Sequence, residues 1–110
     1  MENPSEAELG ANIVDQLRLI YDPEIPVNIF DLGLIYAIDV KTKDNGLFDA
    51  SVTMTLTSPN CPVAEDLPKQ VEEAIRAING ADHVVVSVTW DPPWDKSRMS
   101  DEARILLNMF

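Results

Sequence analysis

Two alternating runs separated by one tight turn constrain this chain more than any other feature. Leu34, Tyr36, Ile38 and Val40 alternate with Ala37, Asp39 and Lys41. Downstream, Phe48, Ala50, Val52, Met54 and Leu56 alternate with Asp49, Ser51, Thr53, Thr55 and Thr57. Between them lies Lys43-Asp44-Asn45-Gly46, and Asn-Gly between alternating runs is a strong short-range hairpin signal. Period two with one polar side gives each strand a buried and a wetter face. The rest of the chain must therefore supply a cover for one face of a sheet.

The flanking segments have the period of that cover. Leu9, Ile13, Leu17 and Ile20 fall on one stripe and predict a helix from Ser5 to about Tyr21. Glu6 and Glu8 suit its first turn, and Asp22-Pro23 is a stop, because the residue before proline is pushed out of the helical region. The segment 24–33 follows as a structured, apolar loop that packs onto the body. A second helix is predicted from about Pro62 to Asn79, with Val63, Leu67, Val71, Ile75 and Ile78 on one face and Gly80 closing it. Pro68 either kinks that helix or marks its true first turn, with Asp66 as cap. A third strand is expected from His83 to Trp90, with Val84, Val86, Val88 and Trp90 on one side, before Asp91-Pro92-Pro93-Trp94 ends it. Ser100 can cap a short final helix.

The expected fold is a single α+β domain over residues 1–110: a two-layer sandwich ordered helix–hairpin–helix–strand. A small three-stranded sheet is covered by helices on one face, with a short C-terminal helix added. The place of the third strand in the sheet does not follow from pattern.

Nineteen Asp and Glu against eight Lys and Arg give a net charge of −11, which argues against nucleic acid or an anionic membrane surface as partner. One Cys and one His leave no internal disulfide and no self-contained zinc finger. The acidic N-terminus lacks the apolar core of a signal peptide, and no apolar run spans a bilayer, so the expected location is cytoplasmic. Four glycines and no phosphate-cradling motif exclude nucleotide-binding loops.

The chemistry concentrates at Thr57-Ser58-Pro59-Asn60-Cys61-Pro62. A strand ends, a turn follows, and a helix is expected to open with proline at its first position. Cys61 then falls at the N-cap, where free N–H groups and the helix dipole favour a thiolate. Placement alone supports a reactive thiolate and an inert small hydrophobe equally. Asp22 and Glu24 can ligate a metal or act as acid and base, but a bare Asp-Pro-Glu reads first as a turn residue and a solvated one. Thr57 and Ser58 can donate to a thiolate, though Ser and Thr are ordinary before proline at a strand end. His83 reads as a strand-edge histidine, and Trp94 as a pin for the tail.

Four motifs in order carry a resemblance: Asp22-Pro23-Glu24 with Asp31-Leu32-Gly33-Leu34-Ile35-Tyr36; Met54 to Pro62; Val86 to Trp94; and Arg98 to Arg104. Together they resemble the small iron–sulfur cluster assembly family of SUF-system accessory proteins, SufT-like and PaaD-like. The resemblance spans nearly the whole chain. It implies an α+β fold, a non-enzymatic role in maturing iron–sulfur proteins, and a site made of Asp22, Glu24, Thr57, Ser58 and Cys61, with Cys61 as the metal ligand. SUF-type assembly proteins and client apoproteins are the implied partners. PaaD-like relatives carry a cysteine-bearing C-terminal extension with no counterpart before Phe110, which disfavours a PaaD-like partner of a multicomponent oxygenase. Cluster-carrier ATPases place this module before a P-loop domain, and no P-loop is present here.

A two-iron cluster takes four protein ligands, so one Cys per chain cannot hold it alone. A transient iron–sulfur cluster or iron must be shared, either in a homodimer that brings two Cys61 thiolates together or with ligands from a partner, a small thiol, Asp22 or Glu24. Two rivals remain from the residues alone: a thiol-dependent enzyme using Cys61 with a carboxylate, and a protein-interaction module in which Cys61 is structural and the Trp90–Trp94 segment docks.

Overall fold

A computed structural model describes residues 5–22, 27–57 and 63–108. The first helix, α1, runs Glu6–Leu17. Ser5 caps it, its Oγ accepting from Glu8 N–H at 3.1 Å, and Leu9, Ile13 and Leu17 form its buried stripe. The helix ends short of Tyr21. Leu19 and Ile20 N–H groups reach only three residues back, at 3.1 Å each, to Gln16 and Leu17 O, a tightening typical of a last turn. Tyr21 then pairs with Asn28 in an antiparallel bridge, which requires extended rather than helical backbone.

The hairpin forms as the alternation predicts, from β1 (Ile35–Thr42) and β2 (Phe48–Met54), with Gly46 at φ +84° in the turn. Phe48, Ala50, Val52 and Met54 are all buried. A bulge shifts the phase of β1: Ile35 lies opposite Met54, whereas Ala37 lies opposite Thr53. The extra residue leaves Ile35, Ile38 and Val40 against the core. Tyr36, expected on that face, is instead diverted to the tail.

The next helix, α2, runs Val63–Arg76 and carries the chain across to β3 (Ala81–Val88), which lies parallel to β2. A parallel neighbour needs such a crossover, and it makes β2 the central strand of the order β1-β2-β3. Pro68 lies inside α2, so it does not mark the first turn. The helix ends before Asn79; Gly80, at φ +93°, closes the turn after it. Val84 is buried and Val86 packs against the core. Trp90, expected on the same side, is 45% exposed. The strand stops at Val88 because β2 ends at Met54, and Asp91 N–H turns back onto Thr89 Oγ1 at 3.3 Å. Pro62, the expected start of the second helix, lies outside the described residues.

The connector 27–34 is part of the core rather than a cover for it. Val27, Ile29, Leu32 and Leu34 are 2% exposed or less. The tail crosses over this connector. Trp94 Nε1 donates to Leu32 O at 2.6 Å, Tyr36 Oη donates to Pro92 O at 2.7 Å, and the Arg98 guanidinium lies 4.8 Å from the centre of the Tyr36 ring. The last helix, α3 (Asp101–Asn108), is capped by Ser100, whose Oγ accepts from Ala103 N–H at 3.1 Å. Ser100 N–H in turn donates to Asp31 O at 2.8 Å. Met99 and Ala103 complete the core.

Candidate functional site

The stretch carrying Asp22 and the stretch leading to Thr57 are stitched to the same connector. Thr55 N–H donates to Leu34 O at 2.8 Å, Leu34 N–H to Ile29 O at 3.2 Å, and Ile29 N–H to Ile20 O at 2.9 Å. Asp22 N–H closes the loop onto Val27 O at 3.3 Å. Asp22 is thereby rooted at the end of the domain where β2 stops.

Asp22 is 4% exposed. Burying a carboxylate is costly, which sets Asp22 apart from an ordinary exposed turn position. Thr57 is half-buried. Glu24, Ser58 and Cys61 lie outside the described residues; in sequence Cys61 precedes the first residue of α2, Val63, by two positions. Thr55, absent from the expected set, is fully buried, and its Oγ1 has no hydrogen-bond partner among the described residues. Its polar position in the alternation gave no sign of burial.

The connector beside Asp22 is braced by a polar set that sequence reasoning named only as part of a motif. Asn28 Nδ2 donates to Asp31 Oδ2 at 2.8 Å and Asp31 N–H to Asn28 Oδ1 at 2.9 Å. Arg18 Nε stands 4.0 Å from Asp31 Oδ1, and its guanidinium lies 5.1 Å from the Phe30 ring centre. These contacts fix the connector's conformation between helix and strand.

A second polar cluster occupies the opposite end of the sheet. Asp49, Asp82 and His83 bring potential ligand atoms within 4.8 Å of one another. Lys43 already supplies a cation there: its ammonium pairs with Asp82 and lies 2.9 Å from Asp49 Oδ1. His83 N–H also donates to Asp49 Oδ1 at 3.1 Å, while its ring is exposed, which fits the strand-edge reading.

The Lys43 hydrogen bond chiefly, then that of His83 N–H, holds the Asp49 carboxyl below its ordinary value. Hydrogen bonds to Asp82 first, then Asp49, raise the Lys43 ammonium. The carboxyl's stabilisation is present above about pH 3.9 and lost as pH falls through the depressed value. That of the ammonium is present below about pH 10.4 and lost as pH rises through the raised value. An NMR titration is therefore expected to show the Lys43–Asp49 pair intact between about pH 4 and pH 10 and loosening outside that window.

The family model described as "Iron-sulfur cluster assembly protein" matches residues 10–88, a stretch that contains the connector, the hairpin, α2 and β3. The chain belongs to this family. It is 46% identical over 96 residues, 87% of this chain and 88% of the other, to an Fe-S protein maturation auxiliary factor of Porphyromonas gingivalis. It is 36% identical over 91 residues, 83% of this chain and 99% of the other, to the Fe-S protein maturation auxiliary factor SufT of Staphylococcus aureus. Among solved structures, a domain of unknown function from Bacillus anthracis superposes with a TM-score of 0.80 at 34% identity, covering 96% of each chain. The SufT-like resemblance and the α+β fold therefore stand. Among the described residues no helix is long and apolar enough to cross a membrane.

Proposed function

We propose that this chain is an accessory adaptor in iron–sulfur cluster assembly, or in cluster transfer to client apoproteins, acting through Cys61. Its relatives named as Fe-S maturation auxiliary factors support the accessory role. The observation that supports the finer reading is the hydrogen-bonded path from Thr55 through Leu34 and Ile29 to Ile20, which sets buried Asp22 at the same end of the domain as Thr57, four residues before Cys61 in sequence.

In this reading the cluster is cargo. One thiol per chain is short of the four ligands a two-iron cluster takes, so Cys61 holds iron or a cluster transiently. The remaining ligands come from a second copy, a small thiol, a SUF-type assembly protein or the client itself. Asp22, Glu24, Thr57 and Ser58 are assigned to assist the exchange by the motif they share with the family. The carboxylates offer hard oxygen ligands to iron, and the hydroxyls offer donors to a thiolate or sulfide. No turnover of a small substrate is required, and the cytoplasm, where thiols stay reduced, suits a working Cys61.

Alkylation of Cys61 at graded pH tests the reading against a structural cysteine. A working thiol at a helix start is expected to react with a midpoint below the ~8.5 of a free cysteine. A midpoint at or above that value, or no reaction in the folded protein, would favour the interaction module.

A further inference from the structure

The two edges of the sheet are built differently. An edge strand leaves a row of N–H and C=O groups without a ladder partner, a template on which another strand can pair. The β1 edge is blunted. Its bulge at Tyr36 breaks the row, Asp39 and Lys41 place both signs of charge along it, and a Glu6 carboxylate oxygen accepts from Thr42 N–H at 3.2 Å. From Val84 onward β3 has none of these protections. Residues 84–90 contain no charge, proline or glycine, and the register is regular from Val84 to Val88.

The direction of the free groups on β3 follows from one hydrogen bond. Thr89 N–H donates to Met54 O at 2.8 Å. Alternate residues of a strand turn their backbone groups the same way, so Ser87 and Val85 also face β2, while Val84, Val86 and Val88 present theirs outward. Val85 is 56% exposed and Val88 37%. Among the described residues no hydrogen bond takes up the outward groups.

We propose that the β3 edge docks an extended segment of a partner protein, a stretch of alternating apolar and polar residues flanked by lysine or arginine, which adds a fourth strand to the sheet. Backbone pairing would supply affinity and the flanking charges selectivity. Charge decides between occupants. Exposed Asp91 stands at one end of the strand, at the other Lys43 offsets only one of the two carboxylates of Asp49 and Asp82, and the chain carries −11. A second copy would meet like charge along the seam, whereas a basic-flanked segment meets attraction. Because β3 runs parallel to β2, the docked strand would pass the end of the domain where the candidate site lies. The pairing does not depend on whether a cluster is carried.

Amide hydrogen exchange on the full chain at low concentration is the first test. The Val84, Val86 and Val88 amides are expected to exchange about a hundredfold faster or more than those of Val85, Ser87 and Thr89. An acetylated Lys-Thr-Val-Thr-Val-Thr-Lys peptide should then slow the three outward amides. Binding should weaken about tenfold or more when both lysines become glutamates, or when alternate peptide nitrogens are methylated. Val85→Lys places a gatekeeping cation on the solvent face and is expected to weaken binding by a similar factor with unchanged Tm. Several outcomes would overturn the proposal: outward amides already protected in dilute protein, no binding of the lysine peptide, or equal binding of the lysine and glutamate peptides. Protection that rises with protein concentration together with a doubled mass would also overturn it, by making a second copy the occupant.

Discussion

Replacing Gly33 by alanine is expected to destabilise the domain by about 3 kcal/mol or more. Two independent costs meet at this position. Its φ is +82°, a left-handed conformation that costs a residue with a Cβ roughly 1–2 kcal/mol. A Cβ there would also lie 2.2 Å from Arg98 O and 2.8 Å from Arg98 C. Those atoms are backbone, so no rotamer change relieves the clash. The tail would have to lift, and with it the Trp94 bond to Leu32 O and the Tyr36 bond to Pro92 O. For a chain of this size each kcal/mol lowers Tm by roughly 4–8 °C, so a fall of about 10 °C or more is expected in thermal unfolding. Gly10 is the internal control. It lies within α1, and a Cβ there meets nothing within 4 Å, so Gly10→Ala is expected to stabilise by about 0.5–1 kcal/mol. A neutral Gly33→Ala would mean that the tail does not close over the connector in solution.

What the residues announced and what they concealed divide along physical lines. The hairpin was legible because its alternation and its Asn45-Gly46 turn are local, and so was the helix cap at Ser100, a hydroxyl three residues before the N–H it accepts. The apolar residues of 24–33 signalled a packed loop, which the described residues 27–33 form, and the Trp94 anchor was expected as well. The bulge that removes Tyr36 from the core was not legible, since one inserted residue leaves composition and nearby alternation intact. Trp90 continued the apolar period of β3 on paper; in the fold, β2 gives it nothing to pack on.

The place of β3 depended on how a crossover helix lays it down. The pairing of Lys43 with Asp82 joins residues 39 positions apart, beyond any local pattern. At the candidate site, the residues alone favoured the plain readings of Asp22, Glu24, Thr57 and Ser58, and the family motif raised them; the burial of Asp22 is a product of the connector's hydrogen bonds, which only the fold supplies. Cys61 entered by its place between a strand and an expected helix as well as by motif, and Glu24, Ser58 and Cys61 lie outside the described residues.

Substituting Cys61 is expected to have the largest functional effect. The chain has one cysteine, so Cys61→Ala removes its only thiolate, the soft ligand that iron–sulfur chemistry requires. Neither the Asp22 carboxylate nor the hydroxyls of Thr55 and Thr57 can replace it. Cys61→Ser tests the same point at nearly constant size, because a serine hydroxyl is not ionised at neutral pH and is a hard donor. In this account Cys61 works through its sulfur rather than through packing, so both variants are expected to fold with a Tm within a few degrees of the parent, a shift of about 1 kcal/mol or less.

The direct measurement is the specific activity of an iron–sulfur client enzyme in cells whose own copy of this chain carries Cys61→Ala at equal abundance. The predicted result is the activity found when the chain is deleted. Full client activity in that strain would contradict a working role for Cys61.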